Sequence, residues 1–460
     1  MRFPAEPFKI KVVESIKMTT LEERIKFLEE AGNNLFSIPA DTIFVDLLTD
    51  SGTSAMSDRQ WAGMMTGDEA YAGSRSFYRF EETIKKITGF NHVIPTHQGR
   101  VAENLLFSLI ANENTVIPSN SHFDTTRANI EFHKGTALDL VIDEAYQPEL
   151  ELPFKGNMDL KKLEAVVKQY GKERIPVCML TITNNSGGGQ PVSMENIRNV
   201  KNLLKPFGIP LFLDACRFAE NAYFIKTREK GYENKSIMEI ANEMFSYADG
   251  CTMSAKKDGL VNIGGFLALN DTELSRRITN YLILIEGFPT YGGLAGRDLE
   301  AISIGIMEAL DENYLAYRTN QVKYLADLLT GAGISVIRPA GGHAVYIDAR
   351  KFYPNIKPEE FPGQALVVEL YKQFGIRGVE VGSLMFGKKD EVTGKEILPR
   401  LDLVRLAIPR RVYTTMHMNY VAEGLIELFT NRDSVRGLRI IYEAPVLRHF
   451  TARLEISGDK

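Results

Sequence analysis

The chain reads as an α/β protein built on a mostly parallel sheet, and three observations predict it. Short apolar runs alternate with stretches of helical periodicity through the middle of the sequence, the pattern of strands covered by helices on both faces. The polar residues best suited to chemistry, His97, Asn185, Asp214 and Lys257, each follow the end of such a run, where ligands bind in open α/β sheets. At 460 residues the chain is too long for one compact core, so two or more domains are expected.

Taken in order, 92–95 is the first strand of the sheet and leads into a helix over 99–111. Residues 115–118 and 137–142 read as further strands. The run 175–182 (IPVCMLTI) is a buried strand, followed by a glycine-rich loop at 184–189 and a helix over 193–204. Residues 209–213 form the next strand and end at Asp214, and 248–253 and 261–269 flank the segment Met253-Ser254-Ala255-Lys256-Lys257-Asp258. From about residue 310 the pattern changes. A helix over 311–329 leads to a hairpin of 334–337 and 344–347 around Gly341-Gly342, and 401–408 is a later strand. The expected division is a large domain over 51–310 and a smaller α+β domain over 311–460. The N-terminal arm, 1–50, is expected to pack onto the smaller domain.

Composition narrows the function classes. The chain is 44% hydrophobic and 25% charged, as in ordinary globular proteins. Its formal net charge of -5 gives no electrostatic reason to expect nucleic acid or an anionic membrane as partner. No apolar run approaches the length of a membrane span. The N-terminus lacks the apolar core of a signal peptide. Cys178, Cys216 and Cys251 are odd in number and far apart, which points to a reducing, cytoplasmic setting.

The chemistry is carried first by Lys257 and Asp214. A lysine just beyond an apolar strand, with an acid closing an earlier strand, is the pair that pyridoxal phosphate requires. The amine condenses with the cofactor aldehyde, and the carboxylate partners the pyridine nitrogen. Taken alone, an adjacent lysine pair is most often a solvated surface charge. A carboxylate about 4 Å from a pyridinium contributes roughly 4 kcal/mol at an effective dielectric near 20. That keeps the nitrogen protonated and the ring an electron sink for a carbanion at the substrate's α-carbon. Thr96-His97-Gln98-Gly99-Arg100 is a strand-to-helix turn, and backbone N–H groups at a helix start bind phosphate. Gln98, Gly99 and Arg100 are therefore candidate phosphate ligands, with Ser254 and Lys256 closing the other side. Neither a Walker motif nor GxGxxG accompanies the turn, so a nucleotide is not expected. Arg217 and Asn185 are candidate donors to the cofactor's phenolic oxygen, and Phe123 is a candidate for stacking on its ring.

Several motifs extend this reading: Asp50-Ser51-Gly52-Thr53, Gly67-Asp68-Glu69-Ala70-Tyr71, Pro95-Thr96-His97-Gln98-Gly99-Arg100, Gly188-Gly189-Gln190-Pro191-Val192-Ser193, Glu220-Asn221-Ala222-Tyr223-Phe224-Ile225-Lys226, Gly287-Phe288-Pro289-Thr290-Tyr291-Gly292-Gly293 and Leu447-Arg448-His449-Phe450-Thr451-Ala452. Through them the chain resembles the β-eliminating lyases, nearly end to end and with the motifs in family order. The resemblance implies an aminotransferase-like fold (fold type I), its large domain holding a mostly parallel seven-stranded sheet, with a smaller α+β domain. It implies pyridoxal 5'-phosphate on Lys257 and a homotetramer in which paired subunits share active sites. It also implies a monovalent cation, K+, with oxygen ligands from Glu69, Asn262 and the Gly52 carbonyl. Tyr71 matches the family's general acid toward the leaving group. Arg405 matches the arginine that holds the substrate carboxylate, for which a bidentate fork suits. Thr49 and Phe288 fall at substrate-contacting positions. One departure is Val101, where the family usually has glycine.

Family members cleave either tryptophan or tyrosine by the same chemistry, so selectivity must come from the leaving-group pocket. Tyrosine-cleaving members typically have threonine where this chain has Asp124 and arginine where it has Val381, a pair that grips the phenol hydroxyl. Here the arginine is missing, and a carboxylate suits an indole N–H, above all once protonation at C3 makes the ring cationic. His449 and Phe288 also look like the tryptophan-cleaving branch. Background stretches such as Trp61-Ala62-Gly63-Met64-Met65 look like the other branch. The expectation is α,β-elimination of L-tryptophan to indole, pyruvate and ammonia, with Lys257, Tyr71, Asp124 and His449 as the catalytic residues. Elimination of phenol from L-tyrosine is the alternative.

Overall fold

The computed structural model describes residues 4–389, 396–445 and 447–458. The chain divides into two compact units. The first comprises Met1–Pro7, Ser51–Ala145 and Leu152–Thr319, and the second Phe8–Asp50, Tyr146–Glu151 and Asn320–Lys460. Among the described residues no helix is long and apolar enough to cross a membrane.

Among the described residues the first unit holds seven strands: β1 (His92–Thr96), β2 (Val116–Ser119), β3 (Thr136–Asp139), β4 (Cys178–Thr181), β5 (Leu211–Asp214), β6 (Gly250–Ser254) and β7 (Gly265–Leu269). Five form one sheet in the order β1-β7-β6-β5-β4. β4, β5 and β6 pair in parallel, and β7 runs antiparallel to both β6 and β1. β4 to β7 are buried along their whole length, as apolar runs covered on both faces must be. One cover is helix α1 (Gly99–Ile110), whose Ala102, Leu105 and Leu106 pack with Phe107 on Val177, Met179, Phe212 and Leu267. Each such fully buried aliphatic or aromatic side chain stabilises the unit by about 1.5–3 kcal/mol. Val101, the residue that departs from the family's glycine, lies inside α1 and packs against the same cluster.

β2 and β3 pair in parallel with each other, and the ladder is interrupted where β2 runs beside β4. The cause is local. Thr136 and Leu140 donate to the carbonyls of Thr115 and Ser119, so alternation turns residue 118 toward β4, and Pro118 has no N–H to give. The side chain of Asn120 stands in for the missing ladder. Its Nδ2 donates to the carbonyls of Thr181 (2.9 Å) and Gly156 (2.7 Å), and its Oδ1 accepts the Thr181 N–H (2.9 Å).

The remaining helices needed here are α2 (Asp124–Phe132), α3 (Phe218–Arg228) and α4 (Gly296–Glu308) in the first unit, with α5 (Pro362–Phe374) and α6 (Thr415–Thr430) in the second. In the second unit, β8 (Ala344–Asp348), β9 (Val379–Val381) and β10 (Leu403–Ala407) form an antiparallel sheet in the order β9-β10-β8. One face packs with α5 and α6, joined by Leu28, Leu35 and Val45 from the N-terminal arm. On the other face Tyr346, Val379, Val381 and Leu403 cluster, and Arg405, opposite Val379 and Tyr346 in the register, emerges among them.

The hairpin expected over 334–337 and 344–347 forms but is short: Val336 bridges Ile347, the Ile337 N–H donates to the Tyr346 carbonyl and the Asp348 N–H to the Ser335 carbonyl (2.9 Å each), and Pro339 has no N–H to extend the pairing. On the other side of the strand the Arg338 N–H donates to the carbonyl of Pro148 (2.7 Å). The strand expected over 261–269 likewise begins only at Gly265.

Replacing Asn120 with alanine strands three buried backbone groups. Asn120→Ala is therefore expected to destabilise the protein by about 3–5 kcal/mol, read as a lower urea midpoint.

Candidate active site

The site is set by how closely α1 approaches the sheet. A Cβ at Gly99 would lie 2.5 Å from the Ser254 Cβ, so only glycine fits there. Gln98 takes the N-cap position in extended conformation without a side-chain capping bond; its carbonyl accepts the Val101 N–H at 3.1 Å, and no side chain of the cap itself covers the anion-binding end of the helix. Lys256 reaches Gln98 Oε1 at 3.4 Å. Burial, with the charges of Lys257 and Arg100, pulls the Lys256 ammonium down to about 8. The Ser254 hydroxyl is buried and has no hydrogen-bond partner among the described residues.

Lys257 sits in a tight turn after β6, its residue only 9% exposed. Leu260 N–H donates to the Lys257 carbonyl, and Asp258 fastens the turn to α3 by accepting the N–H of Ala219 (2.8 Å). The Lys257 ammonium lies 5.9 Å from the centre of the Phe123 ring. Asp214 closes β5 and is buried. Its Oδ1 accepts the Cys216 thiol at 3.0 Å, and burial and Asp214 push that thiol up to about 12. Asn185 and Arg217 are also buried. Phe123 and Asp124 open α2, where Asp124 Oδ1 accepts the Thr125 N–H at 2.6 Å.

Tyr71 is 69% exposed. Its ring lies 5.6 Å from Phe288 and 5.4 Å from Tyr291, and its hydrogen bond with Tyr291 raises its phenol above the ordinary range. The three residues expected at the cation divide. Asn262 Nδ2 donates to the Gly52 carbonyl at 2.9 Å. The Glu69 carboxylate does not join that contact: it caps α4 through Gly296 N–H (2.8 Å) and Arg297 N–H (3.2 Å).

The second unit carries Thr49, Val381, Arg405 and His449. Arg405 Nη2 donates to the Leu48 carbonyl at 3.0 Å. Val381 is buried in the apolar cluster. The His449 ring is buried, 4.0 Å from Phe450 and 5.9 Å from Phe36 between ring centres. Burial, then the charges of Arg405 and Arg448, holds it down to about 4, so it is neutral at neutral pH.

Three supporting residues escaped the sequence reading. Asp258 and Cys216 flank Lys257 and Asp214 and carry no signal beyond adjacency. Glu103 does carry one, since it falls on the stripe of buried α1 positions with Gly99, Ala102 and Leu106, where a carboxylate is out of place.

Residues 46–424 match the Beta-eliminating lyase family. The chain belongs to it. It is 57% identical to a tryptophanase of Hyphomonas neptunium, over 99% of this chain and 100% of that one. It is 51% identical to a tyrosine phenol-lyase of Pasteurella multocida, over 98% and 99%. Among solved structures, a serine palmitoyltransferase of Sphingomonas wittichii superposes with a TM-score of 0.60 at 12% identity, covering 90% of this chain and 97% of that one. That match speaks for the aminotransferase-like fold alone. The protein is thus a β-eliminating lyase, and the family implies pyridoxal phosphate.

The residues present fit that cofactor. An uncapped helix start, a buried unpartnered serine hydroxyl and a lysine driven toward neutrality are what an anion would satisfy. A buried lysine beside an aromatic ring, with a buried carboxylate closing a neighbouring strand, fits the cofactor's aldehyde and ring. Gly99→Ala forces α1 away from Ser254 and is expected to weaken pyridoxal phosphate binding at least tenfold, a loss of about 1.4 kcal/mol or more, read by absorbance titration of the apoenzyme.

Proposed function

We propose that this lyase cleaves L-tryptophan to indole, pyruvate and ammonia. The observation that carries the reading is the pair Asp124 and Val381. Asp124 opens α2 beside Phe123, and Val381 lies among Tyr346, Val379 and Leu403. A carboxylate complements an indole N–H, and a valine offers no donor to a phenol hydroxyl.

The bound pyridoxal phosphate would capture the substrate amine and accept the electron pair left at the α-carbon. Gln98, Gly99, Arg100, Ser254 and Lys256 would hold its phosphate, and Asp214 its ring nitrogen, with Arg217 and Asn185 at its phenolic oxygen. The Lys257 amine takes the α-proton, a role suited to a buried lysine. Arg405 holds the substrate carboxylate by a fork of two N–H donors. Tyr71 gives its phenolic proton to C3 of the indole, so that the bond between C3 and the β-carbon breaks with its electrons leaving on a neutral ring. Asp124 balances the positive charge on the ring while that proton is in place, and Phe288, Thr49 and neutral His449 pack around the substrate.

We also propose a homotetramer working in the cytoplasm; the high exposure of Tyr71 supports sites shared between paired subunits. The contact between Asn262 and the Gly52 carbonyl supports a potassium site at that edge, where Glu69 is the third proposed ligand.

Purified protein with pyridoxal phosphate and K+ is expected to release indole from tryptophan at least tenfold faster than phenol from tyrosine. Dominant phenol release would overturn the reading in favour of tyrosine cleavage. Lys257→Ala is expected to lose both activities. Asp124→Thr combined with Val381→Arg is expected to shift the indole-to-phenol ratio toward phenol at least tenfold.

A further inference from the structure

Glu103 is a buried carboxyl that the proposed reaction does not use. It projects from the second turn of α1, on the face otherwise occupied by Ala102 and Leu106. Both of its oxygens are engaged, and both partners sit in the first turn of α2. Thr125 Oγ1 lies 2.8 Å from Oε2, and Thr126 Oγ1 lies 2.7 Å from Oε1. Those threonines directly follow Phe123 and Asp124, and Phe123 is the residue whose ring faces the Lys257 ammonium.

The charges around Glu103 are of its own sign. Asp214 acts on it from β5 and Asp124 from α2. Lys257, just after β6, faces the Phe123 ring, and cations on α2 and on the helix Thr272–Ile285 are committed elsewhere. Arg127 of α2 bonds Asp139 and Glu131, and Arg277 reaches the carbonyl of Leu109 at the far end of α1. A buried carboxylate beside two others, with only two hydroxyl donors, is a poor place for a negative charge. Burial and Asp214 push Glu103 up to about 7.

We propose that Glu103 is a positioning residue: its carboxyl fastens the first turn of α2 through Thr125 and Thr126, most firmly while it holds its proton, and so sets Phe123 beside Lys257 and Asp124 next to it. As an acid, Glu103 accepts one threonine hydroxyl and donates its own O–H to the other. As an anion it can only accept, and it adds a third negative charge to those of Asp214 and Asp124. The proposal rests on the roles given above to Phe123 and Asp124, but not on which aromatic amino acid is cleaved.

The sign follows from linkage. A carboxyl raised from 4.5 to about 7 stabilises the folded protein most below 4.5. That contribution is lost as pH rises toward 7, and the arrangement of α2 loosens as the proton leaves.

The test uses the full-length enzyme with Glu103→Gln and Glu103→Leu. Glutamine is the neutral mimic, accepting one hydroxyl through Oε1 and donating through Nε2 to the other. The readout is the dissociation constant of pyridoxal phosphate by absorbance titration at pH 6, 7 and 8, beside elimination from S-methylcysteine, whose thiolate leaves without an aromatic pocket. Glu103→Gln is expected to bind within threefold of the native enzyme at pH 6 and to bind more tightly than it at pH 8. Glu103→Leu is expected to bind at least tenfold more weakly throughout. Coincident pH profiles for the native enzyme and Glu103→Gln would overturn the proposal, and so would a Glu103→Gln as impaired as Glu103→Leu. If Glu103→Leu fails to fold, the comparison of native and glutamine profiles still decides. Failure of the tryptophan reading shows separately, as phenol release by the native enzyme, and leaves these constants untouched.

Discussion

Much of the molecule follows from one steric constraint, the absence of room for a side chain at residue 99. Because Gly99 lies against Ser254, α1 begins at the end of β6, and its start is brought beside Ser254 and Lys256. The sheet is adapted to the same approach. A Cβ at Gly265 would lie 2.7 Å from the Gly99 nitrogen, so the reversed strand β7 must also be bare at its start. A glycine on each side lets backbone take the place that side chains would fill, which is how a fixed set of dipoles is aimed at an anion.

A second constraint concerns buried charge. Asp214, Glu103 and Lys257 are all buried in the first unit, and each is tied to something that limits its freedom. A thiol donates to Asp214, two hydroxyls meet Glu103, and Asp258 clamps the turn that carries Lys257. None of these supports is itself a group that reacts. They fix rotamers and protonation in advance, so that less reorganisation is left for the reaction itself.

The sheet was largely legible in the sequence because its strands are buried on both faces and read as unbroken apolar runs. The ends of those strands, at Thr96, Asp214 and Ser254, fall within one residue of the ends of the apolar runs. Features that rest on partners distant in sequence were not legible. Nothing near Arg338 says that its N–H will bond the Pro148 carbonyl. Nothing near Asn120 says that it will replace a strand ladder at Thr181. Glu69 would pass for a surface polar residue, and nothing near it says that its carboxylate will cap the start of α4, 227 residues away. Glu103 lay between these cases. Its place on an apolar stripe was visible, but its two threonine partners become neighbours only when α1 and α2 pack.

The lowered ammonium of Lys256 has a consequence for how the enzyme loads. An ammonium held down to about 8 by burial and by two neighbouring cations regains its proton when a phosphate arrives beside it. Above pH 8, filling the site therefore draws a proton from solution, and the heat of loading depends on the buffer that supplies it. Cofactor occupancy and the acidity of the surrounding medium are thus coupled through a residue that takes no part in bond breaking.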